Sequence, residues 1–258
     1  MLGVSSTTIK RWAAEGRLPY VRTAGGHRRF SRVDVERLLN KHAAAEDELG
    51  EAAATWVDWL RHEDVAFIRT QVERLIDEHD SWFAAADFLD QVSAHIRDRW
   101  ADSEFSIVEQ NIARAKLLQA LIAVATEFRP ADDSLSCLLA ALADEPEPLS
   151  LVLTQLCLRS EGIDALWVGG EVPVADLVQH MRELKGEPQV LALATSRGQS
   201  DNIFLLKACN DIAEACRELG WELLVSGKGA WPGNLDYGHR FHTFTDLKAK
   251  VDTLARLN

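Results

Sequence analysis

Four basic side chains, Arg22, His27, Arg28 and Arg29, lie around the pair Gly25-Gly26. A glycine pair between two short runs predicts a tight hairpin turn. Tyr20–Arg22 forms one strand on this reading and residues 27–30 the other. Cations along such an edge suit contacts to phosphate. Upstream, Val4, Ile9 and Trp12 recur at roughly helical spacing, and Ser5 or Ser6 can cap the helix start. Gly16 and Pro19 then end the helix. The outer face carries Thr7, Thr8, Lys10 and Arg11, small enough or basic enough to enter a major groove. The candidate DNA contacts are therefore Ser6, Thr7, Thr8, Lys10 and Arg11 on the helix. Tyr20, Arg22, Thr23, His27, Arg28 and Arg29 join them on the hairpin, or wing.

Charge supports that placement. The 258-residue chain has a net charge of −12, yet residues 1–42 carry +6 and the rest −18. An acidic body with one basic end places nucleic acid at that end and repels it elsewhere. The length suggests two or three domains, and a hydrophobic content of 47% is ample for packed cores. No apolar run suits a membrane span and no secretory signal opens the chain, so a cytoplasmic protein is expected. Cys137, Cys157, Cys209 and Cys216 have no CxxC spacing and read as reduced core thiols. Cys209 and Cys216, seven apart, share one face of a predicted helix, which is a packing pattern.

The elements that must hold these residues follow from periodicity. Ser31–Lys41 reads as a short helix, and the alanine-rich, acidic residues 43–50 as a linker. Four helical segments come next: Glu51–Arg61, Asp64–His79, Ser81–Trp100 and Phe105–Phe128. Short connections make a four-helix bundle over residues 51–130. Beyond Pro130, strands alternate with helices. Strands are expected at Leu135–Leu142, at Ala165–Val168 ended by Gly169-Gly170, at Val190–Ala194, at Glu222–Val225 and at Arg240–Phe244. Helices are expected at Pro148–Ser160, Pro173–Leu184, Asn202–Leu219 and Asp246–Leu257. That order predicts a flavodoxin-like, doubly wound parallel sheet over residues 131–258, with a ligand cleft at the strand C-termini.

The N-terminal motifs, Ser6-x-Thr8-Ile9-x-Arg11-Trp12, Gly16-x-Leu18-Pro19 and Arg22-Thr23-x-Gly25-Gly26-His27-Arg28-Arg29-Phe30, resemble the winged helix-turn-helix of the MerR superfamily. That family has a helix before the turn, whereas here only Met1-Leu2-Gly3 precedes Val4. The expectation is a missing first helix or a start site upstream. With the bundle and sheet added, the whole chain resembles the cobalamin-binding photoreceptor repressors of that superfamily. The resemblance is clearest in Gly170-Glu171-Val172-Pro173-Val174-Ala175-Asp176-Leu177-Val178.

In that family a His in an Asp-x-His-x-x-Gly motif ligates cobalt, and a Trp followed after nine residues by Glu-His covers the upper face. Here Glu147 stands at the His position and Ser150 at the Gly position. Trp100 is kept, but Gln110 and Asn111 replace Glu-His. The glycine pair expected after the fourth strand reads Ser226-Gly227-Lys228-Gly229-Ala230-Trp231, and Trp231 could fill the space of a nucleotide tail. Val172 and Thr195 complete the strand-end positions of this degenerate cleft. A carboxylate is a poor substitute for imidazole on Co(III). No cofactor is therefore expected. The alternatives are cobalamin held without a protein histidine, or haem with His79 or His95 as axial ligand. His239 and His242 are a weaker metal candidate.

The resemblance implies a DNA-binding regulator of repressor type, not an enzyme, acting on promoter DNA as a homodimer or larger homo-oligomer. Its C-terminal module would be sensory or dimerising and independent of cobalamin and light. A small-molecule or protein effector fits the same architecture. Two other functions compete: a corrinoid subunit of a methyltransferase, and an interaction protein that titrates a related regulator without touching DNA.

Overall fold

In a computed structural model the protein is described over residues 13, 18–22, 28–102, 104–131, 134–142, 149–184, 189–194, 203–226, 231 and 236–254. It divides into two compact units, Met1–Thr55 and Trp56–Asn258. In the first, β1 (Tyr20–Arg22) and β2 (Arg28–Phe30) pair antiparallel as a hairpin. Ala13, Leu18, Val35 and Ala53 are its buried apolar residues among those described. Helix α1 then runs unbroken from Arg32 to His62. The linker expected at residues 43–50 is thus helical, and the two helices expected on either side are one. An Ala/Glu-rich run without proline has high intrinsic helix propensity, so low apolar content alone did not make it a coil.

In the second unit the end of α1 packs with α2 (Val65–Glu78), α3 (Trp82–Ala101) and α4 (Ile107–Ala125). Each start is capped. The Asp64 carboxylate accepts from the Phe67 N–H at 2.8 Å and the Ser81 hydroxyl from the Ala84 N–H at 3.3 Å. Ser106 and Glu109 form a reciprocal capping box. Trp56 meets Phe88 edge-on at 6.0 Å, and Trp59 meets Phe67 at 5.7 Å. The Lys116 ammonium donates to the carbonyls of Leu60 at 3.0 Å and Glu63 at 2.7 Å, satisfying acceptors that the end of α1 leaves open.

The sheet domain alternates β3 (Ser136–Leu142), α5 (Leu149–Ser160), β4 (Asp164–Val172), α6 (Val174–Glu183), β5 (Val190–Ala194), α7 (Ile203–Leu219), β6 (Glu222–Ser226), β7 (His239–Arg240) and α8 (Phe244–Leu254). The strand order is β4-β3-β5-β6-β7 and every pairing is parallel. This is the 2-1-3-4-5 order of a flavodoxin-like sheet. Every residue of β5 is buried, as a strand covered on both faces requires. Helix α5 is buried at Leu149 and from Leu151 through Leu158 because it lies between the sheet and the helical layer.

Two expected boundaries are corrected. Strand β4 does not end at the glycine pair but continues to Val172, with register shifts against β3. Gly169 has φ +121°, so it makes a bulge there and not a terminus. The last strand stops at Arg240, since Thr243 and Asp246 cap each other and start α8 at Phe244. Gly238 sits just before β7 with φ +108°, and a Cβ there would meet Leu223 at 2.9 Å. Only glycine lets the chain pass that close to β6. Among the described residues, no helix is long and apolar enough to cross a membrane.

One side chain locks the helical layer to the sheet domain. The Asp87 carboxylate on α3 accepts from the Phe244 N–H at 2.5 Å, the Thr245 N–H at 3.1 Å and the Thr245 hydroxyl at 2.6 Å. An anion at the first turn of α8 satisfies free N–H groups and meets the positive end of the helix dipole. Replacing Asp87 by alanine should lower the unfolding free energy by about 2–3 kcal/mol, with asparagine costing about half as much. Urea unfolding checks this, and a loss below about 0.5 kcal/mol for alanine would remove Asp87 from that role.

Candidate nucleic-acid interface and strand-end cleft

The basic hairpin is built by strand alternation. Tyr20 pairs with Phe30, Val21 with Arg29, and Arg22 with Arg28. Tyr20, Arg28 and Phe30 therefore share one face, while Val21 and Arg29 share the other. Tyr20 and Phe30 are half-buried and meet edge-on at 6.1 Å. Arg28 and Arg29 are exposed, and the Arg28 guanidinium carbon lies 4.7 Å from the centre of the Tyr20 ring. Of the sequence candidates, Tyr20, Arg28 and Arg29 come together on this hairpin, and the Arg22 backbone pairs with Arg28 in the same ladder. Ser6, Thr7, Thr8, Lys10, Arg11, Thr23 and His27 lie outside the described residues.

The second candidate site is the C-terminal edge of the sheet. Asp87 is fixed to the start of α8, which lies at that edge. Lys248, further along α8, stands 5.3 Å from the centre of the Phe83 ring, so α3 runs antiparallel to α8 and toward the strand ends. Trp100 lies 13 residues beyond Asp87, roughly 20 Å along the helix axis. Helix α4 is tied at its other end, where the Arg159 guanidinium, near the end of α5, reaches the Ala125 carbonyl at 3.5 Å. The start of α4 thus extends past the start of α5 on the same side as Trp100. Trp100, Ile107, Val108 and Ile112 are exposed there, with Trp100 at 48%.

The cleft candidates separate into two groups. On the helical side, Trp100 and Asn111 are exposed, whereas Gln110 is buried at 4%. Glu109 is the carboxylate beside Gln110, but it is engaged. It accepts from the Ser106 N–H at 2.9 Å and from the Arg61 guanidinium at 2.8 Å. Those hydrogen bonds, the Ser106 backbone first, hold its carboxyl below the usual carboxylate range. On the sheet side, Ser150 is half-buried in the first turn of α5 and Val172 packs against the sheet core. Glu147, Thr195 and Gly227 lie outside the described residues.

Trp231 is 5% exposed and packs in the cluster that includes Leu177, Met181, Leu193, Ile212 and Val225. Its indole N–H donates to the Ser226 carbonyl at 2.7 Å, and the Ser226 hydroxyl donates to Leu193 at 3.3 Å. The fourth strand end is therefore filled by an indole belonging to the core. Trp100 and Trp231 differ accordingly: one is an exposed ring on the overhanging helices, the other a sealed plug at the sheet.

Other candidates fall elsewhere. His79 caps the end of α2 and stacks near Phe88 at 5.6 Å, and the His95 Nδ1 lies 3.3 Å from the Gln91 carbonyl. Among the described residues, no group of three or more His, Cys, Asp or Glu is arranged to hold a metal. All four cysteines are buried free thiols, and burial pushes Cys209 and Cys216 up to about 12. Sequence reasoning missed Asp87 and the engagement of Glu109. Thr243-x-x-Asp246 is a visible capping signal, but nothing local points from Asp87 to a helix 157 residues away.

Residues 1–43 match the family model of a helix-turn-helix domain. No curated protein matches the sequence. The monomethylamine corrinoid protein of Methanosarcina barkeri is 13% identical, covers 77% of this chain and 96% of its own, and superposes with a TM-score of 0.54. A cobalamin-binding protein from Desulfitobacterium hafniense DCB-2 covers 78% of this chain and 97% of its own at 14% identity, with a TM-score of 0.38. The methanol:cobalamin methyltransferase complex MtaBC from Methanosarcina barkeri covers 88% of this chain and 93% of its own at 10% identity, with a TM-score of 0.41. The chain therefore joins an N-terminal helix-turn-helix domain to a helical layer and parallel sheet with the fold of a corrinoid protein.

Proposed function

We propose that the protein is a DNA-binding transcriptional regulator of repressor type and not an enzyme. Its head is a MerR-type winged helix-turn-helix. Its remainder is a four-helix bundle and a cobalamin-type sheet domain that serve as a sensory or oligomerising module. The observation that carries this reading is the arginine-bearing hairpin within the residues that match a helix-turn-helix domain. The module acts without a histidine–cobalt bond, because Glu147 stands at the ligand position and no histidine lies between His95 and His180. Gln110 is buried and Glu109 is held by its cap, which supports the loss of an upper-face acid.

One head reads too few base pairs for useful specificity, so the regulator binds as a two-fold pair. Light scattering at micromolar concentration should give a dimer or larger species. A monomer both with and without promoter DNA would count against it.

A second reading keeps a ligand in the cleft. The exposed Trp100, Val108 and Ile112 on the overhanging helices favour it, since an apolar roof can cover a planar macrocycle. Cobalamin without a protein histidine, or haem, is the occupant on that reading.

Two measurements test these readings. A gel shift with the protein's own promoter should show binding that weakens as salt rises. Titration with adenosylcobalamin should leave the corrin spectrum unchanged in the dark and under green light. A shifted spectrum with micromolar or tighter affinity would overturn the cofactor-independent reading. Failure in both assays would point to an interaction protein, and methyl-transfer activity with a bound corrinoid would point to an enzyme subunit.

A further inference from the structure

We infer that Tyr20 is a positioning residue of the nucleic-acid interface, acting by holding the Arg28 guanidinium on its ring. The inference rests on the DNA-binding reading above and gives the two exposed wing arginines different settings.

Register places Arg28 diagonally across from Tyr20 on one face of the hairpin, because Tyr20 pairs with Phe30. Diagonal neighbours on an antiparallel pair come within reach of long and aromatic side chains. The contact is made: 4.7 Å separates the Arg28 guanidinium carbon from the Tyr20 ring centre. Tyr20 is itself half-buried and braced edge-on by Phe30 at 6.1 Å, so the surface under Arg28 is fixed. A guanidinium lying on an aromatic face still has its N–H edge free for a phosphate. Tyr20 thus removes rotamer freedom from Arg28 before DNA arrives, which leaves less to lose on binding. Arg29 has a different setting. It lies across the strands from Val21, which is 73% exposed, and projects from the face opposite Tyr20.

The inference is tested by a double-mutant cycle, using fluorescence anisotropy on a mixed-sequence duplex of about 30 base pairs over a range of salt. Tyr20→Leu should weaken binding roughly threefold while leaving the salt slope unchanged, since the charge remains. Tyr20→Phe keeps the ring and should restore wild-type affinity. Arg28→Gln should lower the salt slope by about one. In the Arg28→Gln background, Tyr20→Leu should have no further effect. An equal loss in both backgrounds would make Tyr20 a packing residue only and overturn the proposal. Failure of Tyr20→Phe to rescue, or an unchanged slope in Arg28→Gln, would overturn it as well. Absence of salt-dependent binding by the wild-type chain would instead remove the regulator reading, and the proposal with it.

Discussion

Replacing Trp231 by alanine is expected to lower the unfolding free energy of the sheet domain by about 3–5 kcal/mol, among the largest single costs in the molecule. The ring is 5% exposed and packs among core residues of the sheet, α6 and α7. Truncation would leave a cavity that the surrounding strands, buried on both faces, cannot close. It would also orphan the Ser226 carbonyl, which accepts from the indole at 2.7 Å. Phenylalanine separates the two effects, since it keeps most of the volume but not the donor. That variant should lose about 1–2 kcal/mol for the buried acceptor. Urea unfolding followed by far-UV circular dichroism reads both values. An alanine variant within about 1 kcal/mol of wild type would mean that this indole is no structural plug.

Changing Arg28 and Arg29 together to alanine should weaken promoter binding roughly 30-fold near physiological salt, with the log–log salt slope falling by about two. Both side chains are exposed, so the fold should be unaffected and unfolding should match wild type. Each phosphate contact releases counterions, which is why the effect appears in the slope and not only in the affinity. The remainder of the chain carries −18 outside residues 1–42, so the net attraction for DNA comes from the basic end. An unchanged slope at matched salt would take both arginines out of the interface.

Much of this fold could be read from the chain before any coordinates. Asp64, Ser81 and Ser106 bear cap-forming side chains ahead of apolar periodicity, and α2, α3 and α4 begin directly after them. The run Val190–Ala194 is apolar throughout and forms a fully buried strand with those same limits. Where two local signals conflicted, the sequence misled. Residues 43–50 looked like a linker by polarity, but helix propensity carried α1 through them. Gly169 looked like a strand end, but pairing with β3 on one side carried β4 past it as a bulge.

The sequence alone determined the basic hairpin and the strand–helix alternation, because each is a matter of residue type and short-range spacing. Only the tertiary structure decided which of two tryptophans is a plug and which is exposed. Trp100 and Trp231 are equally apolar, and burial depends on what the rest of the fold brings against each ring. It also decided that Asp87 caps a helix far along the chain and that Arg28, unlike Arg29, lies on an aromatic ring. Those assignments depend on strand register and helix packing, which are set by long-range burial that no local pattern encodes.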